Sequence, residues 1–183
     1  MLRAIKNEPI NLNSSFEEPD TTGNELVTAE HWDAKISRYG KFGRKEEKPH
    51  TGDASIYLHE FWSGNINQTV DVKPGLIIAQ LKYYVTTVVT KLLGTVWLDL
   101  EYLDKDGNVL SSIRTAQQPF VNSLGRWETI GVMDQIPARV GGEPVTQVRM
   151  SATINGFQEG GIMYLDDFGL FQADDAFNVP FIK

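Results

Sequence analysis

The sequence predicts an all-β protein, a two-sheet antiparallel β-sandwich of the jelly-roll kind with extended N- and C-terminal arms. Three observations predict it. The dominant hydrophobic period is two, the signature of half-buried strands. Gly, Pro, Asn and Asp punctuate the chain at short intervals. No long stretch keeps a helical period, and many short strands with frequent turns imply a sandwich or jelly roll.

Strands are expected near 10–17, 53–59, 66–73, 76–88, 94–103, 108–118, 126–133, 144–154 and 161–171. VKPG (72–75) separates two of them, and DKDGN (104–108) is a hairpin signal between alternating runs. VGGEP (140–144) and NGFQEGG (155–161) break the last three apart. VTAEHWDAKI reads as at most one short turn or helix, and KFGRKEEKPHTGD (41–53), charged and rich in turn residues, as a surface loop. The domain is expected to span 10–172, with arms at 1–9 and 173–183.

Alternation assigns the faces, because successive strand side chains point to opposite sides. Ile77, Ala79, Leu81, Tyr83 and Val85 form one parity and read as core, leaving Ile78, Gln80, Lys82, Tyr84 and Thr86 outward. Val96, Leu98, Leu100 and Tyr102 read as core, so Trp97, Asp99 and Glu101 share the outer face. Val148, Met150, Ala152 and Ile154 go inward, and Gln147, Arg149, Ser151 and Thr153 outward.

The 183 residues suit one domain, and 41% hydrophobic content supports a sizeable core. A net charge of −7 argues against nucleic acid and anionic membranes as partners. No apolar run is long enough for a membrane span, and no signal peptide is visible. The absence of cysteine excludes disulfides, thiolate metal sites and cysteine nucleophiles.

MYLDDFGL (163–170) raises a specific question. Asp166 and Asp167 are adjacent in an apolar strand, so one must point toward the core, where an unpaired charge is costly. Backbone amides, a basic partner or a cation could each meet that cost.

The ordered set NSSFEEPD, HW, TGDASIYL, QTVDVKPG, LDLEYLDKDGNVL, RW and MYLDDFGL resembles the galactose-binding-like jelly rolls of carbohydrate-binding modules, in the group of families four, nine and twenty-two. It covers about residues 10 to 172. The resemblance implies a two-sheet sandwich, no catalysis and often a structural calcium. The matching metal positions are Glu17 and one of Asp166 or Asp167, with backbone carbonyls before TGDAS completing the shell and Asp53 as a further ligand. It also implies that Trp32 and Trp127 pack as core or core edge.

Sugars need aromatic surfaces for C–H faces and planar polar groups for hydroxyls. Gln80, Lys82, Tyr84, Trp97, Asp99, Glu101 and Arg149 carry that chemistry on outward faces, with Trp62 a second aromatic at a sheet edge. The same types also serve as protein-interface anchors, so both readings stand.

Enzyme signals fail: His31, His50 and His59 have no ligand spacing, and no nucleophile elbow or phosphate loop occurs. Many carboxylates are present, but no spacing selects a hydrolytic pair. Phe177, Val179, Phe181 and Ile182 are poor company for water and point to an arm that docks on the domain or a neighbour. The leading expectation is a non-catalytic component of a larger assembly such as a phage virion, in capsid decoration, cement or tail, with protein partners as a homo-oligomer or capsid lattice. The alternative is a glycan-binding module of a secreted polysaccharide-degrading system. Location is then virion or extracellular.

Overall fold

The protein is described by a computed structural model covering residues 8–20, 29–36, 41–59, 62–87, 94–156 and 161–173. In chain order the strands are β1 (Asp33–Ile36), β2 (Lys41–Lys45), β3 (Ser55–His59), β4 (Ser63–Asp71), β5 (Gly75–Val85), β6 (Thr95–Leu103), β7 (Val109–Arg114), β8 (Gln118–Pro119), β9 (Trp127–Ile136), β10 (Arg139–Val140), β11 (Glu143–Pro144), β12 (Gln147–Asn155) and β13 (Ile162–Gln172). A short 3-10 turn, Phe120–Ser123, follows β8.

Two antiparallel sheets stack face to face. The front sheet runs β1-β4-β12-β6-β7, with β8 also on β6, and the back sheet runs β2-β3-β13-β5-β9. The alternation read from sequence holds. Ile77, Ala79, Leu81, Tyr83 and Val85 are buried, as are Val96, Leu98, Leu100, Tyr102, Val148, Met150, Ala152 and Ile154. These two inward sets form one core between the sheets. Tyr102 reaches across that core to donate its hydroxyl to Asp134 on β9, tying the sheets at one rim.

Three local expectations are corrected. Residues 10–17 form no strand, because Asn13 and Phe16 adopt positive φ (48° and 58°), which breaks an extended run. The segment still lies against the last strand. Ile10 N donates to Leu170 O (2.7 Å), Phe168 N to Ser14 O (2.8 Å), and the Asn11 side chain bonds Phe168 O (2.9 Å) and Leu170 N (2.7 Å). Side-chain amides thus replace a strand ladder. Second, DAKI is strand β1, paired with β4, because Trp32 and Ala34 bury at a period of two. Third, the first five residues of the expected 41–53 loop are β2, paired with β3.

Under the N-terminal segment, Trp32 stacks on Phe168 and tilts against Phe16, each at 5.1 Å between ring centroids. Its indole Nε1 donates to Asn13 O (2.9 Å), so the buried polar tip is satisfied. The apolar arm residues Phe177, Val179, Phe181 and Ile182 lie outside the described residues.

Candidate glycan groove and the carboxylate hub

The outer face of the front sheet is a shallow groove. Its ladder registers align outward side chains in rows across the strands. One row reads Asp33, Asn67, Ser151, Asp99, Arg114, running from β1 to β7. On one side lies Lys35, Asn65, Thr153, Trp97, and on the other Thr69, Arg149, Glu101, Ser112. The groove holds about 730 Å³, within the usual size of a small-ligand site.

Its polar groups are held by one another. Arg114 Nε donates to Asp99 Oδ1 (2.5 Å), and Asp99 Oδ2 accepts from Trp97 Nε1 (2.9 Å) and Thr153 Oγ1 (3.4 Å). Arg149 Nε donates to Glu101 Oε2 (2.6 Å). Asn67 Nδ2 donates to Asn65 Oδ1 (3.0 Å), and Asn65 Nδ2 to Thr153 Oγ1 (2.9 Å). Such mutual bonding fixes rotamers before any ligand arrives, which lowers the ordering cost of binding.

The structure divides the seven sugar-binding residues expected from sequence. Asp99, Glu101 and Arg149 come together in the groove lining, and Trp97 lies on the same face beside it, bonded to Asp99. Gln80, Lys82 and Tyr84 lie on β5, on the outer face of the opposite sheet. Trp97 is not an open platform: only 9% is exposed, and the Arg114 guanidinium lies 5.2 Å from its ring centroid. Trp62, 54% exposed, immediately precedes β4 at one end of the sandwich. Sequence reading missed Lys35, because β1 was not expected as a strand, and passed over Asn65, Asn67 and Arg114. The alternation of Asn65 and Asn67 around buried Ile66 was the available signal.

The back face carries an aromatic cluster covered by the chain itself. Trp127, read from sequence as core or core edge, instead lies half-buried on this outer face, opposite Tyr84 in the ladder. Its ring is 5.7 Å from Tyr84 and 5.4 Å from His50. The segment after β2 crosses here. Lys48 Nζ sits 4.5 Å over Tyr84, Tyr164 donates its hydroxyl to Glu47 (3.0 Å), and Lys45 Nζ, from the last residue of β2, lies 4.1 Å over Tyr57. Burial and that Glu47 contact push the Tyr164 phenol up to about 12.

Glu17, Asp166 and Asp167 converge on the same crossing segment. Asp166 does not face the core as the strand reading expected: it shares the outer face of the back sheet with Tyr164 and Lys82, and is fully buried there because the crossing segment covers it. It accepts from the amides of His50 (2.6 Å), Thr51 (3.1 Å) and Asp167 (2.7 Å). Burial pushes its carboxyl up to about 6, with the amides of Thr51, His50 and Asp167 pulling the other way. Asp167 takes a positive φ of 47° at a bulge, where the β13–β5 register shifts between Asp166 and Gly169. The bulge turns its side chain to His50 Nδ1 (2.5 Å) and Thr51 Oγ1 (2.5 Å). Glu17 accepts from the amides of Asp53 (3.1 Å) and Ala54 (3.3 Å). A side chain at Gly52 would put its Cβ 2.1 Å from Glu17 Oε1, so this contact requires glycine. Asp53 takes part through its backbone amide and is itself exposed.

The hub's donors are all hard oxygen, the kind calcium takes. Here each carboxylate is met by amide or hydroxyl hydrogens. Among the described residues, the trio of metal-capable atoms lying within 4.8 Å of one another belongs to Glu18, Glu30 and His31, not to Glu17, Asp166 and Asp167. No helix among the described residues is long and apolar enough to cross a membrane.

No protein-family model matches this sequence, and no curated protein matches it. Solved structures do. A family 61 carbohydrate-binding module, determined with β-1,4-galactotriose, superposes with a TM-score of 0.57 at 16% identity, over 91% of this chain and 99% of that one. The fold is that of a carbohydrate-binding-module-like jelly roll. A family 22 xylan-binding domain from Paenibacillus barcinonensis Xyn10C shares this jelly roll at a TM-score of 0.51 and 16% identity, over 88% of this chain and 93% of that one. The bacteriophage CBA120 tailspike protein 4 enzymatically active domain contains it too, with a TM-score of 0.60 and 16% identity over 90% of this chain. The present chain spans 21% of that tailspike chain.

Proposed function

We propose that this jelly roll is a non-catalytic carbohydrate-binding module whose site is the front-sheet groove. The observation that carries the reading is the row Asp33–Asn67–Ser151–Asp99–Arg114, an unbroken line of polar side chains across five strands on an uncovered face. A glycan lying across the strands would meet amides, hydroxyls and charged groups in turn. Non-catalytic action is supported by the state of the groove acids: Asp99 is bound by Arg114, Trp97 and Thr153, and Glu101 by Arg149. Turnover of a bound polysaccharide by the pure protein would refute that part.

The test is retention on an immobilised polysaccharide panel. Ser151→Tyr, which fills the groove floor, abolishes retention while thermal melting stays cooperative. Lys82→Ala and Tyr84→Ala on the back face leave it unchanged. Retention that persists in Ser151→Tyr and disappears in Tyr84→Ala would move the site to the back face.

A second reading concerns the setting. Likeness to a tailspike domain supports a place in a phage virion, where protein partners, a homo-oligomer or a capsid lattice, would meet Phe177, Val179, Phe181 and Ile182. Copies present at fixed stoichiometry in purified particles would support it. A secreted polysaccharide-degrading system is the other setting.

A structural calcium belongs to the same proposal, with Glu17, Asp166 and Asp167 as its carboxylates. Calcium bound only by the folded state must raise the melting midpoint of chelated protein. An unchanged midpoint removes the ion and leaves the amide-satisfied hub.

A further inference from the structure

Resting on the groove reading, we infer that its ligand is an acidic glycan, one bearing carboxylate or sulfate groups. The groove's charged lining is three carboxylates, Asp33, Asp99 and Glu101, and three cations, Lys35, Arg114 and Arg149. The lining is therefore neutral on a protein of net charge −7, so cations are concentrated here relative to the molecule as a whole.

The two signs differ in what they have left to offer. Asp99 accepts hydrogen bonds on both oxygens, and Glu101 already accepts from Arg149. Each arginine spends only Nε on its acid. A guanidinium carries five N–H donors in a fixed fork, so the terminal nitrogens of both remain available for bidentate recognition of an anion. Lys35 has no carboxylate within ion-pair distance among the described residues. Each anchoring acid fixes its guanidinium in place, leaving the outward edge to a ligand.

Placement supports the same class. Lys35 is on β1 at one edge, Arg149 on the central strand β12, and Arg114 on β7 at the other edge. Neighbouring strands stand about 4.8 Å apart, so the cations are about 10 Å apart across the strands, and the register also offsets Arg149 along them by four residues from Lys35 and two from Arg114, a diagonal spread over the groove. Trp97 lies under Arg114, so among the described residues the groove offers no bare aromatic face for neutral sugar stacking. Among the described residues Asp33 is the groove acid whose carboxylate makes no ion pair or hydrogen bond, and it stands at the edge, two residues from Lys35.

The experiment uses the full chain. Binding of polygalacturonate, alginate and hyaluronan is measured by calorimetry before and after chemical reduction of their carboxyl groups, alongside dextran sulfate against dextran. The expected result is binding of at least one acidic polymer that drops tenfold or more in its neutral counterpart. Lys35→Gln and Arg114→Gln each weaken the acidic polymer several-fold, with melting midpoints checked for both. Among the described residues Lys35 has no ion-pair partner to lose, so its variant remains informative if Arg114→Gln disturbs the floor. The carboxylate and sulfate arms identify the source of the anion. Equal binding of charged and neutral forms, abolished by Ser151→Tyr, would overturn the acidic specificity and keep the groove. Binding to none of these polymers would overturn the inference, and the neutral panel would then judge the groove by itself.

Discussion

The two outer faces of this sandwich have similar chemistry and opposite fates. Both carry aromatics, lysines or arginines, and acids at alternate strand positions. On the front face these groups bond within the sheet, and the space above them stays open. On the back face the segment after β2 folds over the strands, held by Lys48 on Tyr84, Glu47 on Tyr164 and the amides of His50 and Thr51 on Asp166. A tyrosine and a lysine on an outward strand position are thus no guide to a binding site until the path of the neighbouring loop is known.

The most damaging way to break this contrast is to release the back-face cover. Asp166→Ala leaves the amides of His50, Thr51 and Asp167 without their acceptor in a buried site. Each such group costs about 1–3 kcal/mol, so a total loss of about 3 kcal/mol or more is expected by denaturant unfolding. Trypsin should then cut at Lys45 faster in the variant than in the wild type. Unchanged stability and unchanged cleavage would mean that the hub does not hold the cover.

Next in size is a pH effect at the same residue. The folded protein raises the Asp166 carboxyl from 3.8 to about 6 by burial, so the folded state holds this proton more tightly than the unfolded chain. Its contribution to stability is full below 3.8 and is lost as pH rises through about 6. In chelated protein the difference is about 2–3 kcal/mol. Relative to Asp166→Asn, the wild type should gain stability as pH falls from 7 toward 4. Bound calcium would keep the carboxylate ionised and flatten that slope.

On the front face, Arg149→Met should cost tenfold or more in glycan affinity, about 1.4 kcal/mol, with little change in trypsin cleavage at Lys45. The smallest effect belongs to Lys48→Ala, which removes one exposed cation–π contact worth about 0.5–1 kcal/mol. It sharpens the comparison because it should loosen the back cover slightly and leave front-face binding untouched. A loss of glycan binding in this variant would show that the two faces are coupled.

Much of the architecture was legible because a period of two is a local property. β5, β6 and β12 each announced their core face residue by residue. The hairpin at DKDGN was legible for the same reason: Asp104 accepts the amides of Asp106 and Asn108, and Gly107 takes a φ of 81°. The misses have physical causes. β1 offers only four residues, preceded by His31 at a positive φ of 70°, so its alternation is too short to outweigh a turn reading. β2 reads as a charged loop because it is an edge strand, where charged side chains are common. Residues 10–17 read as a strand and do lie beside one, but two backbone bonds and the Asn11 side chain take the place of a ladder.

By itself the sequence determined which side chains of the long strands face the core and where several turns fall; that the first and last segments meet was implied only by the family resemblance. The first two follow from backbone geometry and local chemistry. It could not determine which outward faces share a sheet. That depends on strand order, which brings Lys35, Arg149 and Arg114 together from positions far apart in the chain. Nor could it choose between Asp166 and Asp167, since the bulge at Asp167 arises only when β13 meets β5 and the N-terminal segment at once. Strand pairing is a long-range bargain among segments, and tertiary structure alone decided which face was left uncovered.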